Sequence, residues 1–287
     1  MDMFLAVLGI VWIAAAVIQD LKSREVANWI NFSLVIFALA YRSFYWIFSG
    51  EQMFFLSGIL GLAIFFIVAH LFYYLRLFAG GYAKLLIALG AILPTAGGYY
   101  ENALIMLFFI LVLLAGGGVY SFCYSILLSF ISWNKFLKEF KVQVRKNAFY
   151  LVIAAIVSAV LATFSMFSGD FVSALASVLI ILISALYVYV KAVESACLIY
   201  EVSPDKLSEG DWLASELIVK GRKINPFWEG ISQEEIEFIK KNYKSKVKIK
   251  GGVPFTPAFL IAFIAVLYVS YFVGFDFMLE RLMRFIA

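Results

Sequence analysis

Residues 3–19, MFLAVLGIVWIAAAVIQ, run straight into Asp20-Leu21-Lys22-Ser23-Arg24-Glu25-Val26-Ala27-Asn28. An uncharged apolar run of that length, closed by an aspartate and two bases, predicts a helix that crosses lipid and ends at a polar surface. It has no basic lead-in, and Asp20 stands where small residues would mark a cleavage site, so it is expected to be a retained first helix. The whole chain follows this pattern. Of its 287 residues, 64% are hydrophobic and 18% aromatic against 15% charged, more apolar surface than a water-soluble domain can bury. Continuous apolar runs, rather than alternating ten-residue segments, predict helices instead of a barrel. Cys123 and Cys197 lie in or at the ends of apolar runs without metal-type spacing and are expected to be packing residues.

Eight apolar runs are candidate spans: 3–19, 29–48, 54–77, 84–97, 102–129, 148–167, 171–197 and 254–275. The fourth is short and contains Pro94, which predicts a tilted or partly re-entrant helix; the fifth carries Gly116-Gly117-Gly118, where a bend is expected. Of the 23 lysines and arginines, 19 fall at one set of span ends, whereas the opposite loops hold Glu51, Glu101 and Asp170 and no base. Basic residues accumulate on the cytoplasmic side, so both termini are expected outside and Asp20 and Gly80-Gly81 inside. The predicted class is an all-α polytopic membrane protein with about eight transmembrane helices and a small cytoplasmic α/β subdomain. It divides into a membrane core over 1–130, a basic linker with two further helices over 131–200, the subdomain over 201–252, and a last helix with an amphipathic tail over 253–287. Within the subdomain, Ser232 and Glu235 have capping-box spacing, and Val247-Lys248-Ile249 alternates like a strand.

Few residues in these runs carry chemistry. Asp20 sits near the carboxyl end of a helix, where the macrodipole disfavours an anion by about 0.3–1 kcal/mol. It reads either as an interfacial acid balanced by Lys22 and Arg24 or as a functional group at the mouth of a helix bundle. Gly80-Gly81 permits close backbone approach and positive φ ahead of the next helix. His70, inside the third run, reads as packed or hydrogen-bonded; Arg42 is expected to snorkel to the outer interface, and Lys191 to pair with Glu194 at helical spacing.

The string Gly81-Tyr82-Ala83-Lys84-Leu85-Leu86-Ile87-Ala88-Leu89-Gly90-Ala91 closely resembles the Gly-Asp-x-Lys-Leu-Leu-x-Ala-x-Gly-Ala run of the prepilin and preflagellin peptidases, which are membrane aspartyl proteases. Tyr82 stands on the position of that family's second catalytic aspartate. Asp20 with its following bases and Val26-Ala27-Asn28 resembles the first-aspartate segment. Gly252-Val253-Pro254-Phe255-Thr256-Pro257-Ala258-Phe259-Leu260 resembles the loop entering the final helix of archaeal members, and Glu209-Gly210-Asp211-Trp212-Leu213 is similar to the same branch. The bacterial branch's cysteine metal loop and methylation module have no counterpart, so no methyltransferase activity is implied.

The resemblance implies an aspartic endopeptidase that removes the short basic leader of archaellin or type IV pilin-like precursors at the cytoplasmic membrane face. Asp20 would be one catalytic carboxylate and Tyr82 would mark the other, with Gly80 and Gly81 closing one segment on the other and Lys84 and Lys22 tuning the charge. No metal or cofactor is implied; the partners would be the leader and hydrophobic helix of the precursor and membrane lipids, with no nucleic acid. Two neighbouring carboxylates share a proton, one acting as base and the other as acid. A phenol with a reference pKa near 10 is a poor base at neutral pH, so this chain is expected to have little or no proteolytic activity. Either a single replacement in an intact site or a natural inactive homologue accounts for Tyr82. The alternative function is a non-catalytic relative that binds pilin-like helices or scaffolds their assembly. A transporter would need midplane polar residues on broken helices, of which the runs offer few.

Overall fold

The structure, a computed structural model, describes residues 2–227, 230–275 and 277. In chain order the helices are α1 (Met3–Ser23), α2 (Asn28–Ser49), α3 (Gln52–Tyr74), α4 (Gly80–Gly90), α5 (Tyr99–Ile131), α6 (Trp133–Lys146), α7 (Ala148–Ser168), α8 (Phe171–Val193), α9 (Gln233–Asn242) and α10 (Thr256–Tyr268). Seven of the described helices are long and apolar enough to cross a membrane: α1, α2, α3, α5, α7, α8 with its continuation to Leu198, and α10 with its continuation to Val273. Large apolar side chains such as Ile47, Ile67 and Phe167 stand exposed on them, as a lipid-facing surface requires. The chain is a polytopic, predominantly helical membrane protein. It forms two compact units, residues 1–122 with 253–287 and residues 123–252.

The first unit departs from the expected fourth span. α4 has 11 residues, a length of about 16 Å, roughly half of a 30 Å hydrocarbon layer. Its last residue, Gly90, touches Gly61 of α3 backbone to backbone, and a β-carbon on either would run into the backbone of the other helix. Beyond a turn the chain stays non-helical to residue 98, which would strand carbonyls in an apolar interior. Arg42 of α2 takes them up. Its Nε donates to the Ala91 carbonyl at 2.8 Å and its Nη2 to the carbonyls of Ile92, at 3.2 Å, and Pro94; Nη1 donates to the Phe54 carbonyl and to Ser57 Oγ. Arg42 is 0% exposed. It does not snorkel outward, because its fork of donors is used up closing the end of α4. Gly58 leaves room for its stem, since a β-carbon there would lie 2.5 Å from Arg42 Cδ. Asn102 of α5 completes the frame, accepting from the Thr95 N–H at 2.7 Å and donating to the Thr95 and Gly97 carbonyls. α5 itself is helical through Gly116–Gly118, and Gly117 packs against the Phe255 ring.

In the second unit α7 and α8 form a hairpin through Gly169, at φ 71°, with Asp170 accepting from the N–H groups of Val172 and Ser173. Lys191 pairs with Glu194 at 3.2 Å, as the spacing predicts. The polar stretch folds into strands β1 (Ile199–Val202), β2 (Trp212–Leu213), β3 (Leu217–Val219), β4 (Arg222–Ile224) and β5 (Val247–Lys250). β1, β5 and β2 form one antiparallel sheet in that order, with Tyr200 opposite Ile249, and β3 and β4 form a hairpin. The capping box at Ser232 and Glu235 starts α9, and β5 buries Val247 and Ile249 on one side. Ile236 and Ile239 of α9 close a small core with Leu213, Val219 and Ile224. Cys197 is half-buried, whereas Cys123 is exposed rather than packed. Of the expected amphipathic tail only Phe277 is among the described residues.

Candidate functional site

α1, α4 and α10 bring one end each to the same place. α1 stops at Arg24, in the left-handed conformation at φ 58°, whose N–H closes on the Asp20 carbonyl at 2.8 Å. Gln19 Oε1 accepts from the Ala27 N–H at 3.1 Å, fixing the short link into α2. At the other entry, positive φ falls on Arg76, at 61°, and not on the glycine pair. Gly80 and Gly81 instead form the first turn of α4, and a β-carbon at Gly81 would lie 3.4 Å from Val26. Gly81 thus lies against the link that follows α1, at a distance where a β-carbon would make ordinary van der Waals contact, whereas Gly80 lies near Tyr73 of α3.

Asp20 is 0% exposed and accepts three hydrogen bonds. Tyr82 Oη donates to Oδ1 at 3.0 Å, and the N–H and hydroxyl of Thr256 donate to Oδ2 at 3.0 and 2.9 Å. The Tyr82 oxygen in turn accepts from the Phe255 N–H at 3.3 Å. Phe255 and Thr256 open α10, and Pro257 follows in its first turn without an N–H. Asp20 and Tyr82 thus satisfy the free N–H groups at the head of α10, where the helix dipole favours an anion. That answers the cost of holding an acid at the carboxyl end of α1: the same carboxylate lies at the amino end of α10. Phe78, Phe255 and Phe259 pack around the cluster.

Of the residues expected at the site, Asp20 and Tyr82 meet directly, while Gly81 lies against Val26 and Gly80 near Tyr73. Lys84 is exposed and sends its ammonium to Asn28 Oδ1 at 2.7 Å, bridging α4 to the start of α2 rather than reaching the carboxylate. Lys22 is exposed on the last turn of α1. His70 bonds the Phe66 carbonyl of its own helix at 2.8 Å. Thr256 was legible only as one member of the proline loop. A hydroxyl residue immediately before a helix-opening proline was the available signal for it.

Residues 7–121, which include Asp20, Tyr82 and the Arg42 frame, match the family described as the type IV leader peptidase family. That segment is similar to the type IV leader peptidases. The matched segment lies wholly inside the first unit. Two curated relatives, the preflagellin peptidases of Methanocaldococcus jannaschii and Methanococcus voltae, are each 32% identical to the chain over 88 residues. The match spans 31% of this chain and 37% of each relative. No solved structure matches the chain.

Chemically, the cluster offers one carboxylate and one phenol. Three donors occupy Asp20, one of them the phenol, whose oxygen lies 3.0 Å from Oδ1. A phenol oxygen that donates to Asp20 is not available as a base.

Proposed function

We propose that the chain is a membrane aspartic endopeptidase of the preflagellin and prepilin processing type, disarmed by Tyr82. The observation that carries this reading is the 3.0 Å hydrogen bond between Tyr82 Oη and Asp20 Oδ1. It brings together, across 62 residues of chain, the two positions at which the family resemblance calls for a pair of carboxylates. The curated relatives' name, preflagellin peptidase, supports the substrate class: a precursor whose short basic leader precedes a hydrophobic helix. Such a precursor lies in the membrane, so a site at helix ends meets the scissile bond without extracting the helix. The charge distribution of the loops supports a cytoplasmic location for those ends. With aspartate at position 82, one carboxylate would take a proton from water while the other protonates the peptide carbonyl.

A second reading draws on the same bond. Tyr82 and Asp20 satisfy each other and the head of α10, which also suits a protein that holds pilin-like helices without cutting them. Cleavage of a preflagellin precursor by membranes carrying the chain and its Tyr82→Asp variant separates the two. The peptidase reading expects processing by the variant to exceed the parent by about 10²-fold or more. Equal rates, including none from either, would favour the binding protein.

A further inference from the structure

α6 is joined to α5 by Ser132 alone and to α7 by Asn147 alone. Both neighbours are long and apolar enough to cross a membrane, so α6 connects the ends of two such helices, the place in a chain where an interfacial helix would lie. At about 100° per residue its side chains divide into three sectors. Phe136 and Phe140 pack against Tyr189, Ala192 and Val193 of α8. Trp133, Leu137 and Val144 fall beside them and are exposed. Lys135, Lys138, Lys141, Arg145 and Lys146 occupy the far side, and Glu139 is the single acid of the helix.

Two comparisons show that this is more than a solvated face. None of the five cations makes an ion pair among the described residues, whereas Lys191, Lys223 and Lys250 each do. The other amphipathic helix, α9, sets three glutamates against two lysines and so carries no comparable field. A groove of about 540 Å³ runs beside α6, lined by Lys135, Lys138 and Lys248 with Ser195 and Tyr200, and also by Glu139 and Glu201. A row of cations next to an exposed Trp-Leu-Val strip matches a ligand with an anionic head and an apolar body. An acidic protein or a nucleic acid would leave that strip uncovered.

We propose that α6 is a binding surface for the phosphate headgroups of anionic membrane lipids, with Trp133, Leu137 and Val144 seated among the acyl chains. Lys135 and Lys138 hold a headgroup at the mouth of the groove. The surface orders the boundary between the two spans that flank it, independently of the peptidase reading.

The test uses the purified full chain in neutral detergent, with phosphatidylglycerol or phosphatidylcholine added. Retained lipid is read by native mass spectrometry and stability by the thermal midpoint. The native chain should retain phosphatidylglycerol about tenfold or more over phosphatidylcholine. Combined Lys135→Gln, Lys138→Gln, Lys141→Gln, Arg145→Gln and Lys146→Gln should reduce the preference to about twofold or less, while neutralising Lys206, Lys220, Lys240, Lys241 and Lys244 leaves it intact. Molar salt should collapse the native preference, and inorganic phosphate at equal concentration should not raise the midpoint. If the fivefold variant does not fold, Lys135→Gln with Lys138→Gln and the salt series on the native chain carry the test. A native chain without preference, an α6 variant that keeps it, equal loss in the control, or a shift reproduced by free phosphate would each overturn the proposal.

Discussion

Asp20 poses a problem of position that its own helix cannot solve. At the end of α1 the nearest backbone groups are carbonyls, and a buried carboxylate needs donors. Two of its three donors come from Thr256, 236 residues away in sequence, and local patterning cannot see a partner at that distance. Asp20 and Tyr82 were legible because each lies in a distinctive string; the bond between Asp20 and Thr256 was not, because a threonine before a proline is common at helix starts. Thr256→Val keeps the N–H and loses the hydroxyl. A hydrogen bond to a charged group contributes about 1.5–3 kcal/mol, so the variant should unfold at a visibly lower temperature in detergent, with Thr256→Ser restoring most of the loss. A Thr256→Val midpoint equal to the native one would mean that the hydroxyl does not hold Asp20.

At the scale of elements the lesson is α4. The apolar run 84–97 predicted a short span, tilted or partly re-entrant, and composition alone cannot tell a span from a half-length helix whose end is capped. Arg42 makes the difference, and an arginine in mid-run was the one signal available, read as snorkelling because lone arginines near a membrane surface usually do so. Since α4 carries Tyr82 in its first turn, Arg42 anchors the far end of the helix that presents this residue. Arg42→Met should leave the Ala91, Ile92 and Pro94 carbonyls without donors and cost about 3 kcal/mol or more. Arg42→Lys should recover only part of it, because an ammonium cannot fork across carbonyls of α3 and of the non-helical stretch beyond α4. Thermal unfolding of the three proteins decides; a native-like midpoint for Arg42→Met would remove Arg42 from this role.

The α9 and β5 elements of the polar region were legible from capping and alternation, and their stability has a pH signature. Burial raises the Asp211 carboxyl above its ordinary value, although the Ser208 N–H bonds its charged form. A raised carboxyl favours the fold below the unfolded value, and that contribution is lost as pH rises through the folded one. Asp211→Asn should therefore stabilise the region at neutral pH, with the gain shrinking as pH falls through the raised folded value and gone below about 4. Melting followed by hydrogen exchange at residues 199–250 across that range checks the sign; a variant less stable at pH 7 would reverse it.

For the whole molecule, the membrane class followed from composition because no soluble domain accommodates so many exposed apolar side chains. That seven of the described helices are long and apolar enough to cross did not follow, since it depends on how α4 ends. In the proposed function the ends of α1 and α4 form one acid pair with position 82 as its altered member. The most direct test of that pairing is a cycle of precursor cleavage rates for the native chain, Asp20→Asn, Tyr82→Asp and the double variant. Groups that act as a unit lose activity together, so only Tyr82→Asp should cleave, with the other three equal within a few-fold. A double variant that kept most of the activity of Tyr82→Asp would contradict the account.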